Sequence, residues 1–288
     1  MFDLPSGEVC VVVGDVVGSG LTAAVAMGRL RTALRAYALQ IQDPAELLHA
    51  VDVHVHHFER DVMATALCAV LDPTTHRLRL SCAGHPPPVL AVPRGPGRLV
   101  DVRPDVPLGV EPDRPRRTAE LPLPAGHGLL LYTDGLIERR GVALDAGFDA
   151  LRAAVRPGTA EEVCSTVMQE LLGGTEAADD VALLMVLRRC PGDVEPLELR
   201  VPARPAELPR LRIEVRRWSA AVGATPEESD DLAGAVAAAC TAVIAQAHRG
   251  TLAVRLHTGA GGTVAAEVGA PGTGGATVTV RRTFAGLS

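Results

Sequence analysis

Residues 9–20 read VCVVVGDVVGSG, and this stretch decides how the chain folds. Its first five residues form a continuous apolar run rich in valine, which predicts a buried β-strand. Asp15 follows at the end of that strand, beside glycines that permit a tight turn and close backbone approach. From Leu21 to about Leu39 the composition becomes that of a helix. The chain therefore places a carboxylate where a buried strand leads into a helix.

Two further apolar runs carry aspartates at their ends. Residues 128–133 (GLLLYT) lead into Asp134, and Asp179 and Asp180 precede the run 181–187 (VALLMVL). An aspartate at a strand end is common turn chemistry, so each one alone is weak evidence. Because strand ends can converge at one sheet edge, the three positions together predict a carboxylate site for a hard cation such as Mg²⁺ or Mn²⁺.

The remaining elements of this region come in clusters. A second helix begins at Asp43-Pro44, the strands 64–71 and 77–82 are joined by a turn-like stretch, and residues 145–172 have a helical pattern. Such clustering, without strict alternation of strand and helix, favours packed antiparallel sheets flanked by helices. The expected fold class is α+β.

The pattern of apolar and polar residues changes after Cys190-Pro191-Gly192. The pattern beyond predicts one strand, two helices and a group of short strands: residues 197–201, a helix to about Val222, a helix from Pro226 to His248, and strands near 251–257, 263–268 and 276–282. This region predicts a second, small α/β domain.

Charge and hydropathy exclude two kinds of partner. The net charge of -6 argues against nucleic-acid binding, which requires a clustered basic face. No run of 18 apolar residues and no signal peptide occur, so we expect no membrane contact and a cytoplasmic protein.

Six motifs follow one another over residues 1–187: GDVVGSG with LTAAVAM, MATALCAVLD, AGHPPPVL, PLGV, LLLYTDGLIE and DDVALL. Their order resembles the PPM-type (protein phosphatase 2C) superfamily, and within it the sporulation-protein-E-like branch that controls partner-switching of sigma factors in bacteria. The resemblance implies a four-layer αββα sandwich with metals at one end of its two sheets. We therefore expect a phosphatase domain over 1–189, a linker at 190–196 and a second domain over 197–288.

The resemblance also implies the roles of individual residues. Asp15 would bridge two Mn²⁺ or Mg²⁺ ions together with the backbone carbonyl of Val16, and Asp134 and Asp179 would complete the set. Asp180 would support its neighbour. His85 of the AGH motif is a candidate general acid, although that motif is more often a structural turn at a strand end. The family's upstream G-G-D-x-x-D segment has no counterpart here, so one carboxylate and its strand are expected to be missing. Either the true start lies upstream of this sequence or the protein has lost part of the site, and the lost carboxylate is expected to reduce metal affinity.

Residues 195–288 resemble a GHKL ATPase, the fold of anti-sigma-factor serine kinases, with its chemistry lost. The family's acid, Asn and His, spaced four residues apart on one helix face, correspond to Ala238, Ala242 and Gln246. The Asp of its D-x-G-x-G loop corresponds to Ala270, in the stretch 270–274. Because alanine offers no ligand to Mg²⁺ or adenine, no ATP binding is expected. A generic small α/β domain is the alternative.

Two functions remain open at this point. The first is a metal-dependent protein serine/threonine phosphatase acting on a phosphorylated anti-anti-sigma-like protein in partner-switching signalling. The alternative is an impaired pseudo-phosphatase and pseudo-kinase that docks sigma-factor regulators. In either case the protein could form a homodimer.

Overall fold

The computed structural model describes residues 1–59, 62–138, 143–173, 179–189, 194–246, 250–259, 263–270 and 277–284. The chain divides into two compact units, with residues 1–72 and 76–188 in the first and residues 73–75 and 189–288 in the second. None of the helices in the described part of the chain is long and apolar enough to span a membrane.

The first unit contains nine strands and four helices within its described residues. In chain order they are β1 (Phe2–Asp3), β2 (Val9–Val16), α1 (Gly20–Ala38), α2 (Pro44–Phe58), β3 (Ala64–Asp72), β4 (Arg77–Ala83), β5 (Val89–Ala91), β6 (Arg98–Leu99), β7 (Ala119–Pro122), β8 (Gly128–Tyr132), α3 (Leu144–Ala154), α4 (Ala160–Leu172) and β9 (Leu183–Leu187). The strands form two antiparallel sheets, one ordered β1-β2-β3-β4-β7 and the other β6-β5-β8-β9.

Side-chain alternation along the strands builds three apolar layers. On β3, Leu67 and Ala69 face the second sheet, whereas Cys68 and Val70 face α1 and α2. The second sheet repeats this pattern, because Leu129 and Leu131 pack between the sheets while the alternate residues of β8 pack under α3 and α4. The layers run helix, sheet, sheet, helix, which is the order implied by the family resemblance.

Local sequence accounts for the helix boundaries. Asp43 caps α2 by accepting hydrogen bonds from the backbone N–H groups of Ala45 and Glu46, and Pro44 occupies the first helical position. Thr159 and Glu162 form a reciprocal capping box at the start of α4. The short strand β1, which pairs Phe2 with Cys10, carries no pattern that sequence analysis could detect.

The second unit is a four-stranded antiparallel sheet with two helices packed on one face. Its elements are β10 (Leu197–Pro202), α5 (Leu208–Ala221), α6 (Pro226–Gln246), β11 (Thr251–Thr258), β12 (Thr263–Gly269) and β13 (Val278–Thr283), and the strands are ordered β10-β11-β12-β13. Its core joins helix residues such as Leu232 and Val236 to alternate strand residues such as Val254 and Ala266. The glycine-rich residues 271–274 and the expected helix end at His248 lie outside the described residues.

One buried ion pair ties α2 to the loop that precedes β7. The side chains of Asp52 and Arg116 are 0% and 1% exposed, and a guanidinium N–H of Arg116 donates to the Asp52 carboxylate. The other Asp52 oxygen accepts from the Gly109 backbone N–H at 2.7 Å, and Arg116 also donates to the Val106 carbonyl at 3.0 Å. These bonds hold Gly109 and Arg116 against α2 and join Val106 to Arg116.

Replacing Asp52 with Ala should destabilise the first unit strongly. The substitution leaves the Arg116 guanidinium buried without its counter-charge, a change that typically costs about 3–5 kcal/mol. Urea unfolding of the full chain, followed by circular dichroism, measures the loss. The control is Glu120→Ala, which removes an exposed pair with Arg77 and should cost less than about 1 kcal/mol. Equal, small losses in both variants would contradict a fully desolvated pair.

Candidate metal centre

The alternation of β2 directs Asp15 between the two sheets. Val11 packs in the layer between the sheets, and Asp15 lies four residues further along the strand in the same phase. Its cross-strand partner in the first sheet is Thr65 of β3. Asp15 therefore sits where the sheet–sheet interior reaches the end of β2.

Asp134 reaches the same place from the second sheet. It follows β8 and opens a short 3₁₀ turn, Asp134–Leu136, in which the Gly135 N–H donates to its carboxylate at 2.9 Å. Gly135 permits this approach because a Cβ there would lie 2.8 Å from the Asp180 carbonyl oxygen and 2.9 Å from that of Asp179. The glycine in the TDG motif thus lets Asp134 and Asp179 come together.

Thr133 holds the segment that carries Asp179 against the end of β8. Its hydroxyl donates to the Asp180 carbonyl at 3.0 Å and accepts from the Ala182 N–H at 2.8 Å. The Asp180 backbone N–H donates to the Asp179 carboxylate at 2.8 Å. Asp180 thus contacts Thr133 and Asp179 through its backbone groups, and its supporting role stays a prediction.

The structure brings the three expected carboxylates together. One oxygen from each of Asp15, Asp134 and Asp179 lies within 4.8 Å of the other two. Burial raises the pKa of the Asp15 carboxyl, the nearby Asp134 and Asp179 carboxylates raise it further, and a hydrogen bond from the Val16 backbone opposes the shift. The cluster concentrates negative charge in a partly buried place.

Such a cluster fits a hard divalent cation. Carboxylate oxygens are the preferred ligands of Mg²⁺ and Mn²⁺, and the cation would relieve the mutual repulsion expressed in the raised pKa of Asp15. Val16 lies beside this group at the end of β2 and is buried. The convergence expected from the strand ends is confirmed, and the assignment of Asp15, Val16, Asp134 and Asp179 as ligands stays a prediction.

His85 connects the two sheets directly behind the cluster. Its Nε2 lies 2.9 Å from the Tyr132 carbonyl oxygen, which can only accept, so this nitrogen carries the hydrogen. Its Nδ1 lies 2.9 Å from the Thr65 hydroxyl and accepts from it. The ring is 3% exposed, and burial lowers its pKa, which favours the neutral form. The structure therefore places His85 as a tie between β3, which pairs with the strand that carries Asp15, and β8, which leads into Asp134.

Sequence analysis missed two threonines of this site. Thr133 precedes Asp134 directly and could have been singled out by that adjacency alone. Thr65 becomes visible only when the register of β2 and β3 is known, because it lies fifty positions from Asp15 in the chain and opposite it in the sheet.

Comparison with known proteins agrees with this geometry. The family described as Stage II sporulation protein E (SpoIIE) matches residues 5–189. The phosphoserine phosphatase RsbP of Bacillus subtilis is 27% identical over 133 residues, which are 44% of this chain. The matched part spans a third (33%) of the length of RsbP.

Solved structures extend the likeness. The RsbU and RsbW domains of Rv1364c from Mycobacterium tuberculosis align with 29% identity and a TM-score of 0.61, covering 96% of this chain and 85% of that one. The PP2C phosphatase domain of SpoIIE from Bacillus subtilis, with a fragment of its regulatory domain, aligns with 14% identity and a TM-score of 0.54, covering 62% of this chain and 56% of that one. This second likeness shows a shared fold. With a family match over most of its first unit and an αββα sandwich that gathers three carboxylates, the chain belongs to the SpoIIE family of PP2C-type phosphatase domains.

Proposed function

We propose that the first unit is a metal-dependent phosphatase that removes phosphate from serine or threonine in a protein. The observation that carries the proposal is the group of three carboxylates within 4.8 Å of one another at the ends of the two sheets. Family membership and the likeness to a phosphoserine phosphatase support it.

The chain's own residues would hold the ions and place the substrate. Asp15, Asp134 and Asp179, with the Val16 carbonyl, would bind Mn²⁺ or Mg²⁺. When bound, these ions supply positive charge for the phosphoryl oxygens and activate water as the nucleophile. The hydrogen bonds of Thr133 and Gly135 orient Asp134 and Asp179, and the Thr65–His85–Tyr132 tie fixes the separation of the two sheets.

The substrate we propose is a phosphorylated anti-anti-sigma-like protein of a partner-switching system. Support comes from the relatives: RsbP is named a phosphoserine phosphatase, and the aligned structure from M. tuberculosis joins an RsbU domain to an RsbW domain. That alignment covers 96% of this chain and therefore extends well into the second unit.

We further propose that residues 197–288 are a GHKL-like domain that has lost its ATP site. Ala238, Ala242 and Gln246 all lie exposed along one side of α6, as their spacing of four residues requires. Ala270 is buried and packs in the core of the unit. None of these side chains except the Gln246 amide offers an oxygen ligand, and none offers a carboxylate.

The chain should hydrolyse p-nitrophenyl phosphate weakly in the presence of Mn²⁺. Asp15→Asn should abolish the activity because it removes one charge from the ligand group, and EDTA should do the same. Release of p-nitrophenolate at increasing Mn²⁺ concentration measures both effects. Asp101→Asn, which changes an exposed aspartate outside the group, is the matched control and should leave the rate unaltered.

Activity that persists in EDTA or in Asp15→Asn would refute the mechanism. Complete inactivity of the unmodified chain at saturating Mn²⁺ would favour the pseudo-phosphatase.

The His85→Ala variant distinguishes a structural role of His85 from a role as general acid. The variant leaves the Thr65 hydroxyl and the Tyr132 carbonyl without their partner, so we expect a loss of about 1–3 kcal/mol in unfolding free energy. It should also raise the Mn²⁺ concentration needed for half-maximal activity. At saturating Mn²⁺, kcat should fall less than about tenfold, whereas losing a general acid costs about 10²–10⁴-fold. Thr65→Val, which cuts one end of the tie, should show smaller changes in the same direction.

Calorimetric titration of the full chain with ATP and Mg²⁺ should detect no binding. The alanines at 238, 242 and 270 remove the base, the Mg²⁺ ligand and the adenine contact of the family's site. A dissociation constant in the micromolar range, about -8 kcal/mol, would show that α6 is not aligned with the GHKL motif helix as proposed.

A further inference from the structure

A cavity of about 420 Å³ adjoins the carboxylate group on the side of Asp134. This volume falls within the range of about 300–1,000 Å³ typical of ligand sites. Asp134 forms part of its wall, so whatever occupies the cavity lies next to the proposed metal ligands. The function proposed above does not use this space.

Apolar residues from two separate parts of the chain form walls of the cavity. One is α3, which contributes Leu144 and Phe148, residues one helical turn apart and therefore on the same face. Leu144 is 45% exposed, so its side chain is accessible to an occupant of the cavity. The other wall consists of Pro86, Pro104 and Val106. Apolar side chains on both walls favour an apolar occupant.

The proline-bearing wall is rigid. The Gly84 N–H donates to the Asp105 carbonyl at 2.7 Å, and the Asp105 N–H donates to the Cys82 carbonyl at 2.8 Å, which extends the edge of β4. Gly84 has a φ of +64°, and a Cβ there would lie 2.6 Å from Cγ of Pro107. The Asp105 carboxylate also accepts from the Arg117 N–H at 3.0 Å. A wall held this way is formed before any ligand arrives.

We propose that this cavity is a groove that binds an apolar side chain of the substrate protein. The bound residue lies within a few positions of the phosphoserine. The proposal rests on the phosphatase function proposed above. With the phosphate at the carboxylate group, the chain on one side of the serine runs along the groove that Asp134 borders. A cavity of this volume is roughly 9 Å across, the length of two to three extended residues at ~3.3 Å each.

Charge sets a second preference. Glu138 is exposed and borders the same cavity, so an acidic residue beside the phosphoserine meets like charge there. The groove thus selects leucine-like neighbours and rejects aspartate and glutamate. The apolar walls fit a polypeptide segment of the substrate, which brings side chains beside its phosphate, better than a small phosphorylated metabolite that has none.

Synthetic phosphoserine peptides test the groove. In a glycine- and serine-based host peptide, leucine or aspartate replaces one residue at a time, at each of three positions before and after the phosphoserine. Phosphate release with the full chain and Mn²⁺ gives kcat/KM for each peptide. We expect leucine to raise kcat/KM about tenfold at one or two positions on a single side, and aspartate to lower it there.

Leu144→Asp should reduce the preference for leucine at those positions at least fivefold. The substitution is compatible with folding, because Leu144 is partly exposed in the first turn of α3, where an acidic residue is favourable. The matched control is Leu39→Asp, which replaces another exposed leucine that does not line the cavity and should retain the preference.

Two results would overturn the proposal. One is equal kcat/KM for leucine, glycine and aspartate at every position, and the other is a leucine preference that Leu144→Asp leaves intact. Hydrolysis of p-nitrophenyl phosphate without activity on any peptide would also exclude a peptide-binding groove. Failure to hydrolyse p-nitrophenyl phosphate contradicts the phosphatase itself, and with it the groove.

Discussion

The first unit depends on holding three like charges close together. Asp15, Asp134 and Asp179 repel one another. Asp15 belongs to the first sheet, whereas Asp134 and Asp179 lie beside strands of the second. The apolar layer between the sheets and the Thr65–His85–Tyr132 tie oppose the separation that this repulsion favours. A bound cation would offset this repulsion. The free energy of folding of the sandwich holds the three carboxylates in a geometry that can bind a cation.

The convergence of the three carboxylates could be predicted from their positions at the ends of apolar strands. The run before Asp15 and the run before Asp134 are both buried strands, and strand periodicity alone explains why these positions face one edge. The helix cap at Asp43 was also visible in the pattern. The family resemblance supplied the order of the layers, which periodicity could not have provided.

What escaped prediction depends on contacts between distant segments. Thr65 matters because of a strand register, and His85 because of partners on two different sheets. The groove beside Asp134 draws its walls from residues near 86, 105 and 146, none of which shows a motif for ligand binding. Single-sequence patterns report what each segment does locally, and they are silent on which segments meet.

The buried pair of Asp52 and Arg116 restricts how this chain can change over generations. The two residues are 64 positions apart in sequence. A substitution at either one leaves the charge of the other buried without a counter-charge. An apolar pair at both positions could be stable, yet each single step towards it passes through a damaged protein. Related sequences should therefore carry either both charges or neither, and the residues at the two positions should covary.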